Sequence, residues 1–257
     1  MAKDRVLNLQ GVHNFRDYGG YAVAGGGRVR SRTLWRSGQH LEASDADLAA
    51  IDALALAHVF DLRSDRERAS HPCRRPDPFG ATVHTVPDNT ANQAPHVSSA
   101  RRDAATTRAN MVRSYQGIAF RPLLVEMVRN MFVRIGQGDG ASLVNCMAGK
   151  DRTGFAVAMV HHALGVHHDD IISDYLLTNS AGNVEERIAA GGRSISGLIP
   201  EIDPEALRVL MGVEAEYLDT AWAAMRERHG SVDAYQRDVL GLDDALRGRL
   251  RDALVEG

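Results

Sequence analysis

A cysteine and an arginine bracket the junction between a predicted strand and a predicted helix. The apolar run 141–144 leads into Cys146. Arg152 then opens a second apolar run, residues 155–164. A loop at such a junction can turn its backbone N–H groups inward, and the first turn of the following helix adds positive potential, so the junction favours an anion. The stretch therefore predicts an anion pocket that contains a sulfur atom.

The residue types in this pocket predict covalent phosphate chemistry. Its field favours the thiolate form of Cys146, which is the nucleophilic form. The planar guanidinium of Arg152 offers a fork of donors to two oxygens of a phosphate. We therefore predict that Cys146 is the nucleophile, that Arg152 holds the phosphoryl group, and that no metal or cofactor takes part. A nucleotide-binding Walker loop is excluded, because Asp151 stands where that loop requires serine or threonine.

The remaining loop residues are predicted to bind the substrate. Backbone N–H groups would surround the phosphate, and the Thr153 hydroxyl could either donate to the sulfur or cap the helix. Lys150 and Lys3 are the only lysines among 30 Lys and Arg residues, which indicates a specific use for Lys150. A compact ammonium suits substrates with further phosphates, such as phosphoinositides. The predicted substrate-binding residues are Met147, Ala148, Gly149, Lys150 and Thr153.

The loop resembles that of a known enzyme family. Residues 146–154 are similar to the signature loop of bacterial atypical protein-tyrosine/phosphoinositide phosphatases of the mycobacterial tyrosine-phosphatase-B type; we call Cys146–Arg152 the signature loop. Other blocks that resemble this family are Asn14–Gly20, Leu34–Gly38, Phe60–Ser64, Gly212–Leu218 and His229–Ser231. The resemblance extends from about residue 8 to the end of the chain. It implies hydrolysis of phosphotyrosine, and of phosphoinositides, through a phosphocysteine.

One position departs from the family pattern. The family usually has histidine before the cysteine, and this chain has Asn145. An amide can replace some hydrogen bonds of an imidazole but carries no charge. We therefore expect slower turnover than in relatives with histidine, not inactivity.

The proton donor for the leaving group has several candidates, all of them carboxyl groups. The resemblance implies Asp151, although a carboxylate at a helix N-terminus is stabilised whether or not it does chemistry. Asp61, at the end of a predicted strand, could instead hold Lys150 or the loop in place. Asp88 follows Val86-Pro87 and ranks third. We favour Asp151 and include Asp61 among the catalytic residues.

The order of elements predicts an α/β fold. Ser44, with Asp47 three residues later, caps a helix, and short strands follow at 59–60 and 81–86. Helices are predicted at 104–116, 119–136 and, after a Gly191-Gly192 interruption, 204–228. The alternation predicts a central sheet flanked by helices, similar to that of protein-tyrosine phosphatases, with function at the carboxyl ends of the strands. We predict one phosphatase domain, residues 1–257.

Two segments are predicted to lie near the pocket. The polar stretch from Asp88 to about Ala104 indicates a mobile loop. The resemblance implies a helical lid over the site in the C-terminal half, and we place it at residues 180–210. A surface loop without function is the competing interpretation for this second segment.

Composition limits the partners. A net charge of −3 argues against a nucleic-acid partner. Two cysteines, Cys73 and Cys146, do not make a disulfide framework, and no run of about 18 apolar residues predicts membrane insertion. We expect a cytoplasmic protein, with export without a cleaved signal left open, and a phosphorylated protein or phosphoinositide as the partner. The sequence carries no signal for an oligomeric state.

Three further interpretations stay open. The histidine pairs 161–162 and 167–168 have poor spacing for a metal site, because a helix pairs ligands at i and i+4. A rhodanese-type sulfurtransferase also uses a loop cysteine, but normally lacks the arginine. A pseudophosphatase that binds phosphate without turnover is compatible with Asn145.

Overall fold

The computed structural model describes residues 5–87, 103–196 and 202–257. The stretch predicted as a mobile loop, including Asp88, therefore lies almost wholly outside the described residues. Part of the predicted lid, residues 197–201, also lies outside them.

A mostly parallel sheet forms the centre of the fold. Its strand order is β1-β3-β6-β4-β5; β3, β6, β4 and β5 run parallel, and β1 pairs antiparallel with β3 at the edge. A separate ribbon joins β2 to β7 near the C-terminus. The strands are β1 Arg16–Asp17, β2 Arg28–Val29, β3 Leu34–Ser37, β4 Leu56–Asp61, β5 Thr82–His84, β6 Ala141–Asn145 and β7 Val255–Glu256.

Helices make up most of the remaining described chain. They are α1 Asp45–Asp52, α2 Asp65–Ser70, α3 Ala104–Ile118, α4 Pro122–Ile135, α5 Asp151–Leu164, α6 His168–Leu176, α7 Val184–Ser196, α8 Pro204–Met211, α9 Ala215–His229, α10 Val232–Asp238 and α11 Asp244–Leu254. Among the helices of residues 5–87, 103–196 and 202–257, none combines the length and the hydropathy that a membrane span requires.

Two apolar clusters hold the layers together. The larger one combines β-strand residues such as Phe60 and Val144 with helices α3, α4, α5 and α9–α11. The smaller one joins Trp35 and Leu143 to Ile51 of α1. Helix α5 is buried along nearly its whole length, which explains why its sequence is apolar on every face. The predicted α/β fold with a helix-flanked central sheet is confirmed.

Local sequence explains several element ends. Ser44 accepts from Asp47 N while Asp47 accepts from Ser44 N, so the predicted cap of α1 is a full capping box. The second helix of the predicted pair starts at Pro122 rather than residue 119, because proline is favoured in the first turn and disfavours helix before it. Gly165, at φ 85°, ends α5.

Two predictions about the C-terminal half are wrong. Gly191-Gly192 does not interrupt the helix, because α7 packs so closely on α8 that a Cβ on Gly191 would lie 2.4 Å from Met211 Cε. The predicted helix 204–228 is two helices, α8 and α9. Gly212 is extended between them, and the side chain of Asn179 binds both Val213 N at 2.9 Å and Val213 O at 2.8 Å. Tertiary hydrogen bonds thus break a continuous helical pattern.

A buried charge cluster joins the sheet to α6. The Asp174 carboxylate accepts from Arg36 Nη1 at 2.9 Å and lies 3.8 Å from Arg16 Nη2. Arg16 and Arg36 have no exposed side-chain surface, and Asp174 has 1%. Burial alone would raise the pKa of Asp174, but the two guanidinium groups hold it below its usual value. The carboxylate is therefore the counter-charge that permits two buried arginines.

We predict that Asp174→Asn destabilises the fold by about 3–5 kcal/mol, because it leaves two buried guanidinium groups without a counter-charge. The control is Asp219→Asn, which removes an exposed partner of His168 and should cost less than about 1 kcal/mol. Urea unfolding of both variants measures the difference. Equal losses would show that the buried cluster does not stabilise the sheet.

Candidate active site

The signature loop begins where the central strand ends. Strand β6 stops at Asn145, which pairs in register with Ser37 of β3 and Asp61 of β4. The loop then runs into α5, whose first residue is Asp151. Cys146 and Asp61 thus lie at the carboxyl edge of the parallel sheet, as predicted.

Two carbonyl groups of the signature loop point away from its interior. Gly149 O accepts from Asn14 Nδ2 at 2.6 Å and from Arg36 Nη2 at 3.0 Å. Met147 O accepts from Gln39 N at 3.0 Å. In a trans peptide the N–H lies opposite the C=O, so the N–H groups of Ala148 and Lys150 point the other way. Among the described residues, no acceptor takes either of these N–H groups.

Glycine is required at position 149. Its φ is 67°, in the left-handed region that glycine favours. A Cβ there would lie 2.4 Å from the backbone carbon of Ser37 and 2.6 Å from Gly38 N. The loop therefore packs directly on the end of β3, and this close packing brings Gly149 O within reach of Arg36.

Arg152 is held by a carboxylate from the neighbouring strand connection. Its Nη1 and Nη2 donate to Glu67 Oε2 and Oε1, both at 2.7 Å, and Nη1 also donates to Leu62 O at 3.2 Å. Burial alone would lower the pKa of Arg152, but the Glu67 hydrogen bonds and the nearby Cys146 sulfur raise it. Arg152 is thus a fixed cation within electrostatic reach of Cys146, which is itself 3% exposed.

Glu67 is a site residue that the sequence did not predict. This residue also accepts from Ser64 N at 2.9 Å and forms a capping box with Ser64 at the start of α2. Although burial would raise the pKa of Glu67, its bonds to Arg152 lower it to about 2. The Ser64-x-x-Glu67 spacing after a strand was a readable sign of this short helix. Its contact with Arg152 depends on β4 lying beside β6, which no local pattern shows.

Asp151 is positioned by two donors on one oxygen. Tyr115 OH donates to Oδ1 at 2.8 Å, and Lys150 Nζ donates to the same atom at 2.9 Å. Tyr175 OH lies 2.6 Å from Tyr115 OH and completes a chain of hydroxyl groups. Burial first, and then the Asp151 carboxylate, raise the pKa of Tyr115 well above its usual value, so Tyr115 stays a donor. Tyr115 is a second residue that the sequence did not indicate.

Lys150 reaches the junction of α8 and α9. Its ammonium group, 6% exposed, donates to Gly212 O at 3.3 Å as well as to Asp151. It therefore links the signature loop to the end of the segment predicted as a lid. The structure places Lys150 with Asp151 and not with Asp61.

Asp61 is bound by a different cation. Arg63 donates to both of its oxygens, through Nε at 2.8 Å and Nη2 at 2.7 Å. Asn145 Nδ2 lies 3.5 Å from Asp61 Oδ1, so the carboxylate touches the strand that leads into the loop. Cys73 Sγ accepts from the same Arg63 at 3.1 Å. A catalytic role for Asp61 stays a prediction.

Thr153 and the histidines complete the predicted set. Thr153 Oγ1 is buried and has no hydrogen-bond partner among the described residues. The four histidines have separate neighbours: His161 contacts Tyr18 O, His162 and His168 pair with Asp233 and Asp219, and His167 caps α6. Within the described residues, no group of three or more His, Cys, Asp or Glu side chains is arranged to hold a metal ion.

We predict that Glu67→Gln weakens the binding of inorganic phosphate, because Arg152 loses the carboxylate that orients it.

The Glu67 pKa is depressed, so the contribution of the Glu67 carboxylate to stability is present above its unfolded pKa near 4.5 and is lost as pH falls through about 2. Unfolding free energies of wild type and Glu67→Gln should differ by about 2 kcal/mol at pH 6 and converge near pH 2. A constant difference across this range would contradict the pairing.

Comparison with known proteins identifies the family. The model of the tyrosine phosphatase family matches residues 7–256. The triple specificity protein phosphatase PtpB of Mycobacterium tuberculosis is 33% identical over 283 residues, which covers 97% of this chain and 99% of PtpB. A relative in Cupriavidus necator, also named as a tyrosine-protein phosphatase, is 37% identical over 248 residues, covering 94% of this chain and 87% of its own length.

Solved structures of Pseudomonas aeruginosa TpbA are similar over 75% of this chain and 96% of theirs. The match is 19% identical with a TM-score of 0.26 for one structure. It is 18% identical with a TM-score of 0.32 for a variant in complex with pTyr. On the family match and the two sequence relatives, the chain belongs to the tyrosine phosphatase family and is a hydrolase of the protein-tyrosine-phosphatase type.

Proposed function

We propose that this chain hydrolyses phosphotyrosine through a phosphocysteine on Cys146. The observation that carries the proposal is the orientation of the signature loop: Met147 O and Gly149 O are held outward, and Ala148 N–H and Lys150 N–H are left for an oxyanion. Arg152 adds a fixed guanidinium on the side of Glu67. Such preorganised donors stabilise the charge that develops on the transferring phosphoryl group.

The reaction proceeds in two displacements. The Cys146 thiolate attacks phosphorus, the bond to the ester oxygen breaks, and Asp151 gives that oxygen its proton. A water molecule then attacks the phosphocysteine and loses a proton to the Asp151 carboxylate. The P–S bond breaks, and inorganic phosphate and the thiolate are released. No group is consumed other than water.

The contacts of Asp151 support a role in proton transfer by fixing its position. Tyr115 and Lys150 both donate to Oδ1, which fixes the carboxyl group at the start of α5, one residue before Arg152. We assign Asp61 a supporting role, since Arg63 occupies both of its oxygens. The helix pair α7–α8, the described part of segment 180–210, is the proposed lid.

The proposed substrate range depends on the sequence relatives and on Lys150. PtpB is named a triple specificity phosphatase, and its 33% identity with this chain supports a range wider than phosphotyrosine, with phosphoinositides as the further class. Lys150 Nζ is engaged by Asp151 and Gly212 O, so a second phosphate would have to displace one of these bonds.

The two free thiols support a reducing compartment, and we propose the cytoplasm.

We predict that a rapid alkaline detergent quench traps phosphate on wild-type protein incubated with a phosphotyrosine peptide, and that Cys146→Ser shows neither label nor turnover. Mass spectrometry of the digest locates the label. Parallel initial rates on phosphoserine peptides and phosphoinositide vesicles define the range. Bound phosphate without turnover in wild type would instead support a pseudophosphatase, and a persulfide on Cys146 would support a sulfurtransferase.

We predict that Asp151→Asn lowers kcat by about 10²–10⁴-fold with a phosphotyrosine peptide and removes the basic limb of the pH–rate profile, because an amide cannot protonate the leaving oxygen. The loss should shrink with an aryl phosphate whose phenol is strongly acidic. Asp103→Asn, a cap of α3, is the control and should keep the wild-type profile. An unchanged basic limb in Asp151→Asn would assign the acid to another residue.

A further inference from the structure

Helix α7 carries a buried arginine that the chemistry above does not use. Arg187 is 3% exposed, although it lies on a helix of the proposed lid. Its Nε and Nη1 atoms are buried and have no hydrogen-bond partner among the described residues. Buried guanidinium N–H groups without an acceptor cost free energy, so Nε and Nη1 of Arg187 are suited to a ligand that supplies acceptor oxygens.

Its charged neighbours place Arg187 beside the signature loop. Burial lowers the pKa of Arg187, the Asp151 carboxylate opposes this, and Arg36 adds to it. Arg187 in turn contributes, after burial, to the lowered pKa of His13. Asp151 is the first residue of α5, and Arg36 donates to Gly149 O. Both charged groups that act on Arg187 therefore lie at the signature loop.

Backbone contacts agree with this placement. His13 O accepts from Gly38 N at 2.8 Å, and a Cβ on Gly38 would lie 3.1 Å from Met147 O, so His13 borders the loop. A Cβ on Gly182, just before α7, would lie 4.0 Å from Asn14 N. Helix α7 therefore starts over the segment that holds the Gly149 side of the signature loop, and Arg187 is one turn further along.

The charges near Arg187 favour an anionic ligand. Arg36 repels it, and the Asp151 carboxylate already accepts from Tyr115 and Lys150 on Oδ1. The phosphate proposed to bind over the loop carries up to two negative charges and several acceptor oxygens. It could satisfy the unused N–H groups and offset the repulsion at once.

We propose that Arg187 binds the phosphoryl oxyanion held by the signature loop, so that the helix pair α7–α8 closes on an occupied site. This inference rests on the proposed phosphatase function. An oxyanion bound by both the signature loop and α7 would stabilise the closed arrangement by the same factor that closure strengthens oxyanion binding. Arg152 contacts the phosphate from the start of α5, and Arg187 contacts it from α7 of the proposed lid.

The test compares Arg187→Met with Arg193→Met, which removes an exposed arginine from the same helix. Titration calorimetry with tungstate, a phosphate analogue that is not turned over, measures oxyanion affinity. We expect about tenfold or greater weakening in Arg187→Met, partial recovery in Arg187→Lys, and wild-type affinity in Arg193→Met. Hydrogen exchange gives the second readout: tungstate should slow exchange in segments 184–196 and 204–211 of wild type but not of Arg187→Met at saturation.

Other outcomes separate the two proposals. If Arg187→Met binds tungstate like wild type, the inference is wrong while the phosphatase proposal stands. The inference also fails if tungstate affinity is kept and only substrates with a second acidic group lose turnover, since Arg187 would then contact the leaving group. If wild type neither binds tungstate nor hydrolyses an aryl phosphate, both proposals fail. Unfolding midpoints of the variants check that each is folded.

Discussion

The rest of the site depends on the hydrogen bonds that keep the Gly149 carbonyl pointing out of the signature loop. A loop between a strand and a helix can present either carbonyl oxygens or N–H groups to its interior, and only the second choice binds an anion. Two donors from distant segments, Asn14 Nδ2 and Arg36 Nη2, bind this carbonyl and so fix the orientation of the Gly149–Lys150 peptide. The proposed anion pocket is therefore oriented by residues outside the loop.

This hold depends in turn on a buried charge balance. Arg36 spans from Gly149 O to the Asp174 carboxylate, and Arg16 donates to Asn14 Oδ1 and to the main-chain carbonyl of Asp174. The two donors to Gly149 O are therefore both anchored, directly or through Arg16, at Asp174. Buried ion pairs add little net stability, but they fix positions firmly once formed. The same cluster joins β1, β3, α6 and the signature loop, so it brings the family-like blocks Asn14–Gly20 and Leu34–Gly38 together with residues 146–154. The residues that orient the proposed oxyanion pocket are therefore also residues that pack the fold.

The sequence predicted the features that contiguous residues encode, and it did not predict those that depend on contacts between distant segments. The strand, the signature loop and α5 are contiguous, so spacing alone placed Cys146 at a strand end and Arg152 in the first helical turn. Glu67 and Tyr115 meet Arg152 and Asp151 only through strand order and helix packing, which local patterns do not encode. The same limit explains the two wrong helix boundaries. Glycine propensity predicted a break at Gly191, where close packing against Met211 requires glycine, and periodicity continued through Gly212, where Asn179 and Lys150 bind the extended backbone.

The Lys150 contacts also change how its rarity should be understood. One of only two lysines in an arginine-rich chain indicated a substrate contact, yet the Lys150 ammonium joins Asp151, the proposed acid, to the junction of α8 and α9. A flexible stem and a compact charge suit a link of this kind, since one ammonium can serve two acceptors at an angle that a planar guanidinium does not match. Lys150 thereby links the signature loop to the chain at Gly212 through hydrogen bonds that do not involve a substrate.

A crystal structure of the protein with vanadate tests the orientation of the signature loop most directly. We predict vanadium bonded to Cys146 Sγ, with its equatorial oxygens within hydrogen-bond distance of Ala148 N, Lys150 N and the Arg152 guanidinium, and Gly149 O still held by Asn14 and Arg36. Vanadium bound elsewhere, or a Gly149 carbonyl turned into the loop, would contradict the proposed site.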